Sequence, residues 1–245
     1  MHSESAVVFI TGAGKRVGAA LARHLHQRGY AVALHYRSAK PEAEALAAEL
    51  NTDRADCCLL LQADLDEPAQ RDALIPRIIA HYGRLDVLIN NASSFSPTPV
   101  GAGSDAQWDE LFDSNARAPF FLSQAAAPHL RERHGSIVNI ADIFGQVPKP
   151  QHTVYCMAKA ALIMMTRSLA LELAPEVRVN AIAPGAILWP ESVKPDAEKD
   201  AIVQATPLRR MGDVDDICQT AVWLIEQASF TTGQVIAVDG GRLLR

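Results

Sequence analysis

The feature that most constrains this chain is an alternation of short apolar runs with helical patterns, set from its first residues. Ala6–Thr11 is an apolar run, Gly12-Ala13-Gly14-Lys15-Arg16-Val17-Gly18 is a glycine-rich turn, and Ala19–Arg28 reads as a helix closed by Gly29. Strand, glycine-rich turn and helix in that order is the context in which a dinucleotide is held. Glycines let the backbone approach a pyrophosphate, and the helix amino terminus offers unpaired N–H groups and the positive end of its dipole. The spacing is T-G-x-G-x-x-x-G, with a longer last gap than G-x-G-x-x-G. Gly12, Lys15, Arg16 and Val17 are the turn's candidate cofactor contacts.

The alternation continues along the chain. Ala31–Tyr36, Cys57–Gln62, Asp86–Ile89, Ser136–Ile140, Val177–Ile182 and Gln234–Asp239 read as strands. Helices are predicted over Glu42–Leu50, from Pro68 to near Gly83, over Trp108–Leu130 and Val154–Leu173, and from the Asp213 cap to about Gln227. This order predicts an α/β fold: one Rossmann domain spanning 1–245, with a doubly wound parallel sheet of about seven strands and helices on both faces. Residues 186–207, rich in Pro, Glu, Lys and Asp, are long for a connection and read as a substrate loop or lid.

After the second strand an NAD enzyme places an acid for the ribose 2′-hydroxyl. Here Arg37 and Ser38 follow, with Lys40 nearby and Lys15 in the first turn. Arg forks onto phosphate and Ser donates a hydrogen bond, so the cofactor expected is NADPH. Asp64 and Leu65 close the third strand, where an adenine would lie.

The chemistry points to Asn139–Ala161. Tyr155 and Lys159 are four apart at the start of a helix and share one face. An ammonium beside a phenol favours the phenolate, so Lys159 is expected to lower the Tyr155 pKa and tune it for proton transfer. Asp142 follows an apolar strand and falls where open α/β sheets place ligands. Phe95 lies in Ser-Phe-Ser-Pro-Thr-Pro, which cannot be helix, and is free to face a ligand. Asn115 falls inside a predicted helix, where an Asn side chain ordinarily points to water.

Other classes are disfavoured. A net charge of −5 argues against non-specific binding to nucleic acid or an anionic membrane. No uninterrupted apolar run approaches the roughly 20 residues of a membrane span, and no signal peptide is evident. Cys57, Cys58, Cys156 and Cys218 form no C-x-x-C pair and read as reduced and buried, in a cytoplasmic protein. Adjacent Cys57 and Cys58 are expected on opposite faces of a strand. The histidines His24, His26, His81, His129, His134 and His152 lack metal-site spacing and are given no catalytic role.

With these residues set out, the chain resembles the short-chain dehydrogenase/reductase family over nearly its whole length. The matching elements are Thr11–Gly18, Asn90-Asn91-Ala92, Asn115, Y-C-M-A-K (Tyr155–Lys159), Pro184-Gly185 and the closing V-D-G-G. The resemblance implies a homotetramer with Asn115, Tyr155 and Lys159 in the catalytic machinery, Asn115 supporting a proton-relay water. It adds His35, Tyr36, Asn91, Ala92, Ser93, Pro184 and Gly185 to the cofactor contacts, and has Lys159 also hold the nicotinamide ribose. Most members carry Ser where this chain has Asp142. An ionised Asp repels a carbonyl oxygen but suits a ring that offers N–H groups or needs a proton at nitrogen. Asp142, Arg16, H-Y-R-S (His35–Ser38) and N-A-S-S-F (Asn91–Phe95) resemble the pteridine reductases, and D-G-G-R-L-L-R resembles their bacterial dihydromonapterin reductase branch. That likeness implies a pterin held by Arg16, Ser93, Phe95, Asp142 and Tyr155, between the Phe95 ring and the nicotinamide. Hydride would reach C6 of a 7,8-dihydropterin, and oxidised pterins or folates are further substrates to test. It also implies that Arg245 reaches a neighbouring subunit's site. The alternatives are an NADPH-dependent carbonyl reductase acting on ketones, and a non-catalytic dinucleotide sensor, which would typically have lost Tyr155 or Lys159.

Overall fold

The computed structural model describes residues 5–188 and 196–244. Its sheet begins with β1 (Val7–Ile10), β2 (Ala31–Tyr36), β3 (Cys58–Gln62) and β4 (Val87–Asn90), and continues with β5 (Ser136–Ile140), β6 (Arg178–Pro184) and β7 (Val235–Val238). The helices are α1 (Arg16–Gln27), α2 (Lys40–Asp53), α3 (Pro68–Asp72), α4 (Leu74–Tyr82), α5 (Asp105–Phe112), α6 (Ala118–Arg131), α7 (Thr153–Glu172), α8 (Asp196–Ala205) and α9 (Val214–Glu226). Among the described residues the seven strands lie in the order β3-β2-β1-β4-β5-β6-β7, and all pair in parallel.

Alternation along each strand divides the core. Val8 and Ile10 face the layer of α1, α2 and α9 together with Val32, Leu34 and Ile89. Val7 and Phe9 face the layer of α4, α6 and α7 with Ala31, Ala33 and Leu88. Burial on both faces is why these strands read as unbroken apolar runs. The chain reverses its winding between β1 and β4, and the cleft that opens at their carboxyl ends is where such sheets bind ligands.

Four expectations need correction. The predicted helix over 108–130 is two helices joined by a π turn, Asp113–Arg117. It also starts earlier: the Ser104 hydroxyl accepts the Gln107 N–H at 3.3 Å while the Gln107 side chain accepts the Ser104 N–H at 3.1 Å, a capping box. The predicted loop 186–207 contains α8, whose D-A-E-K-D-A-I-V-Q-A is made largely of helix formers despite its charge; the stretch 189–195 lies outside the described residues. Cys57 and Cys58 join the same core layer because β3 begins only at Cys58, leaving Cys57 before the strand, beside His26 and the Leu50 carbonyl.

The fourth correction concerns α7. Its 20 residues reach a mean hydropathy of 1.4 over their most apolar window, enough by length and composition to cross a membrane. Interspersed polar residues hid this from a search for unbroken runs. In this fold the helix has another use for that apolarity, because Ala158, Leu162, Ile163, Leu169 and Ala170 are buried in the core.

Candidate active site

The glycine-rich turn is held by contacts only glycine permits. A Cβ on Gly12, whose φ is +62°, would lie 2.9 Å from the Ala92 Cα, and one on Gly18 would lie 2.4 Å from the Gly12 carbonyl oxygen. The turn therefore lies directly on Asn91 and Ala92, and Asn91 fastens it by donating to the carbonyls of Thr11 at 2.8 Å and Gly12 at 3.0 Å. Arg16 is in the left-handed region at φ +55°, a strained conformation of the kind kept at ligand sites. Among the described residues no side chain caps α1, so its first N–H groups remain directed at the cleft.

The cleft is walled by Gly12, Lys15, Arg16 and Val17 on one side and by Asn91, Ala92 and Ser93 on the other, with Arg37, Asp64 and Leu65 at its far end. This backbone cradle, cut to glycine and backed by a helix terminus, fits a dinucleotide. His35 also lines it, but its ring is buried and tied at both nitrogens. Nδ1 accepts the Gly12 N–H at 3.0 Å, which leaves Nε2 as the donor to the Ala63 carbonyl at 3.1 Å. Burial lowers its pKa to about 4, so it is a neutral brace for the turn. Tyr36 is in the core, and its carbonyl accepts the Ala63 N–H at 3.2 Å. Ser38 is exposed beyond β2. Arg37, half exposed, meets Asp66 at 3.5 Å, and Lys15 meets Glu42 at 2.8 Å. Such exposed pairs are weak and give way readily to a phosphate. Gly185 donates its N–H to the Val238 carbonyl at 2.9 Å, so Pro184-Gly185 is fastened to the end of β7.

Asn115 departs from the expectation of a water-facing side chain. The π turn swings it inward until it is fully buried. Its amide donates to the carbonyls of Ser94 and Leu111, each at 2.9 Å, and its oxygen accepts the Ser93 hydroxyl at 2.7 Å. The side chain so pins the segment that carries Ser93 and Phe95 to the α5–α6 junction.

Asp142, Tyr155 and Lys159 converge. Asp142 uses one carboxylate oxygen to accept the Phe144 N–H at 2.9 Å, capping the 3-10 turn Ile143–Gly145, and the other to accept the Tyr155 hydroxyl at 2.7 Å. Lys159 is fully buried and donates to the Ile140 carbonyl at 3.0 Å, with its nitrogen 5.8 Å from the centre of the Tyr155 ring. Here the expected electrostatics are overturned. The Tyr155 pKa is raised well above its ordinary value, first by burial and then by the Asp142 charge and hydrogen bond. The Lys159 charge is too distant to outweigh a carboxylate in contact. Burial also raises the Asp142 pKa, against the Phe144 N–H and the Tyr155 hydroxyl. Lys159 is lowered to about 8 by burial. The shared proton thus rests on Tyr155, and the pair can deliver a proton when Asp142 is itself protonated.

Phe95 closes the site from above. Its ring meets Tyr155 edge to face at 4.8 Å and stacks on His152 at 4.6 Å. His152 and Asp66 were missed as site residues. The signal for His152 was its place three residues before Tyr155, one helical turn away. Asp66 had none beyond following Asp64 and Leu65.

With this geometry in view, known proteins decide the family. A family model described as enoyl-(acyl carrier protein) reductase matches residues 12–242. The chain belongs to the short-chain dehydrogenase/reductase family. It is 36% identical to pteridine reductase 1 of Leishmania tarentolae over 96% of this chain and 95% of that protein. It is 34% identical to the 3-oxoacyl-[acyl-carrier-protein] reductase FabG of Staphylococcus aureus over 95% of this chain and 96% of that protein. The chain is accordingly an oxidoreductase of a family that uses nicotinamide cofactors.

Proposed function

We propose that this protein is an NADPH-dependent pteridine reductase that takes dihydropterins to their tetrahydro forms. The observation that carries the reading is the 2.7 Å hydrogen bond from the Tyr155 hydroxyl to Asp142. A ketone presents only an acceptor oxygen, and an acceptor carboxylate beside the catalytic phenol opposes it. A pterin presents ring and amino N–H groups and takes up a proton at N5. The nicotinamide, when bound, supplies hydride. Asp142 accepts the pterin's N–H groups as the carboxylate, and in its protonated form, which burial favours, it replaces the proton that Tyr155 gives up. Lys159 takes the role the family resemblance implies for it, holding the nicotinamide ribose, and Phe95 offers a flat aromatic surface to the heterocycle. Arg37, with Lys15 and Arg16 in the turn, favours NADPH over NADH by binding the 2′-phosphate.

The FabG likeness favours a second reading, an NADPH-dependent carbonyl reductase. Asp142→Ser separates the two. On the pteridine reading it lowers kcat/KM for a 7,8-dihydropterin by about tenfold or more, since a charge-assisted hydrogen bond is worth about 1.5–3 kcal/mol. Activity on a diketone is unchanged or improved. Both are followed at the NADPH absorbance, with melting temperatures alongside. A variant that reduces dihydropterin as well as its parent removes the main support for the pteridine reading.

A further inference from the structure

At the far end of the cleft, the base that follows β2 already has a partner. The Arg37 guanidinium donates to the Asp66 carboxylate at 3.5 Å, and its backbone is fixed below, where the Arg37 carbonyl accepts the Gln62 amide at 3.3 Å. Two neighbouring cations also meet acids: Lys15 pairs with Glu42 at 2.8 Å and Lys40 with Glu44 at 3.7 Å. Those two acids are on α2, whereas Asp66 lines the cleft itself, with Arg37 and Asp64. The turn after β3 holds Asp66 there. Its N–H donates to the Asp64 carboxylate at 3.2 Å, and the Asp64 N–H donates to the Gln70 side chain at 2.8 Å. The surroundings of Asp66 are acidic. Burial raises its pKa first and the Asp64 charge next, against the pull of Arg37, and Asp113 and Glu110 push it further up. Asp113 is matched by Arg117 at 2.7 Å, and Asp66 by Arg37. A phosphate that binds Arg37 therefore has to take the place of a carboxylate and then lie beside it, among other acids. A ribose hydroxyl carries no charge and meets neither cost.

We infer that Asp66 is a cofactor-specificity determinant: by occupying Arg37 and repelling a 2′-phosphate, it holds the preference for NADPH below what Arg37 alone would give. The inference rests on the reading of Arg37 as the 2′-phosphate ligand and deepens it. Arg37 supplies the preference, and Asp66 sets its size. The exposed ion pair itself is weak, but the repulsion between a carboxylate and a phosphate lasts for as long as the phosphate is bound. Specificity here is a difference between two affinities, and an unfavourable contact shapes it as much as a favourable one does.

The test is a binding measurement on the full chain, with adenosine 2′,5′-bisphosphate and 5′-AMP as probes, which differ only in the 2′-phosphate. Calorimetric titration gives the ratio of their Kd values, and fluorescence titration gives the same ratio for NADPH and NADH. Asp66→Asn keeps the shape and removes the charge. It should tighten the bisphosphate and NADPH by about three- to tenfold, the scale of one like-charge contact in a half-exposed site, and change AMP and NADH by less than about twofold. Asp66→Ser should act in the same direction, and Asp66→Glu should keep the parent's ratio. Added KCl should narrow the gap between parent and Asn variant. In an Arg37→Met background the gain from Asp66→Asn should shrink, because no guanidinium is left to release. Melting of the ligand-free variants checks that the fold is intact. If the parent prefers the bisphosphate through Arg37 and Asp66→Asn leaves the ratio unchanged, the inference falls and the reading of Arg37 stands. A looser bisphosphate in the Asn variant would mean that Asp66 positions Arg37 instead of competing for it, and an equal gain for AMP would mean a general relief of acidity; either overturns the inference. If the parent binds the two probes alike and Arg37→Met changes neither, the NADPH reading falls and the inference with it.

Discussion

At the scale of single residues, Lys159 shows what the site costs the fold. An ammonium fully inside the protein is held at a pKa of about 8, against 10.5 in water, because burial disfavours its charge. That difference corresponds to roughly 3 kcal/mol of destabilisation while the group is charged in both states. The cost is fully present below about pH 8 and disappears as pH rises toward 10.5, where the unfolded chain also loses its proton. Lys159→Met keeps the bulk, removes the charge and gives up the bond to Ile140, worth about 1 kcal/mol. The apo variant should therefore be more stable than its parent at pH 7 by about 1–2 kcal/mol, a rise of several degrees in Tm for a chain of this size, with turnover lost. Melts across the pH range should show the parent catching up above about pH 8. A Met variant less stable than its parent at pH 7 would mean that the buried charge is no burden. Stability given up for activity is common at catalytic groups.

At the scale of elements, the strand–turn–helix at the amino end behaves as one part. Gly18 is in the first turn of α1, and a Cβ there would meet the Gly12 carbonyl oxygen at 2.4 Å and the Asn91 side-chain nitrogen at 2.6 Å. Both contacts are with groups that hold the turn's shape. Gly18→Ala should cost about 1–3 kcal/mol by overpacking and weaken nicotinamide-cofactor binding by about tenfold or more, read by melting and by fluorescence titration of the apo protein. Unchanged cofactor affinity would show that the cradle does not depend on this close approach. Such parts were legible in the sequence because their signals are local: glycine spacing around Gly12, the unbroken apolar run of β1 and the four-residue step from Tyr155 to Lys159. What escaped depends on distant neighbours. Asn115 turns inward because carbonyls 21 and 4 residues away along the chain collect its amide hydrogens. The Tyr155 pKa rises through burial first and then because Asp142, 13 residues earlier, folds back against it. Residue spacing puts Lys159 on the same helix face as Tyr155, but it cannot show that the carboxylate comes closer. The S-x-x-Q cap at Ser104 was readable and was passed over in favour of the later apolar pattern.

At the scale of the whole molecule, two apolar surfaces stand out among the described residues, one on the α6 and α7 helices and one at the β7 edge. On α7, Met157, Met164 and Leu171 recur every seven residues and form an outward stripe; Met164 is 58% and Leu171 83% exposed. Phe120 and Phe121 on α6 are also outward-facing. On the sheet itself, β7 is an edge strand whose residues are at most partly buried, and Phe230, just before it in the chain, is fully exposed, as Leu244 nearly is. Long helices and an apolar sheet edge left bare in this way favour association with further copies. One self-complementary surface closes a two-fold dimer; two independent ones combine into a tetramer with three two-fold axes. We propose that these two patches assemble the homotetramer that the family resemblance implies. Light scattering at micromolar concentration should find four chains. Met164→Glu with Leu171→Glu should break the helical contact and leave dimers held through the β7 end. Adding Phe230→Glu should yield monomers, with far-UV circular dichroism confirming that the fold persists. A parent protein that is monomeric at micromolar concentration, or a helical variant that remains tetrameric, would show that these patches are not the surfaces that assemble it.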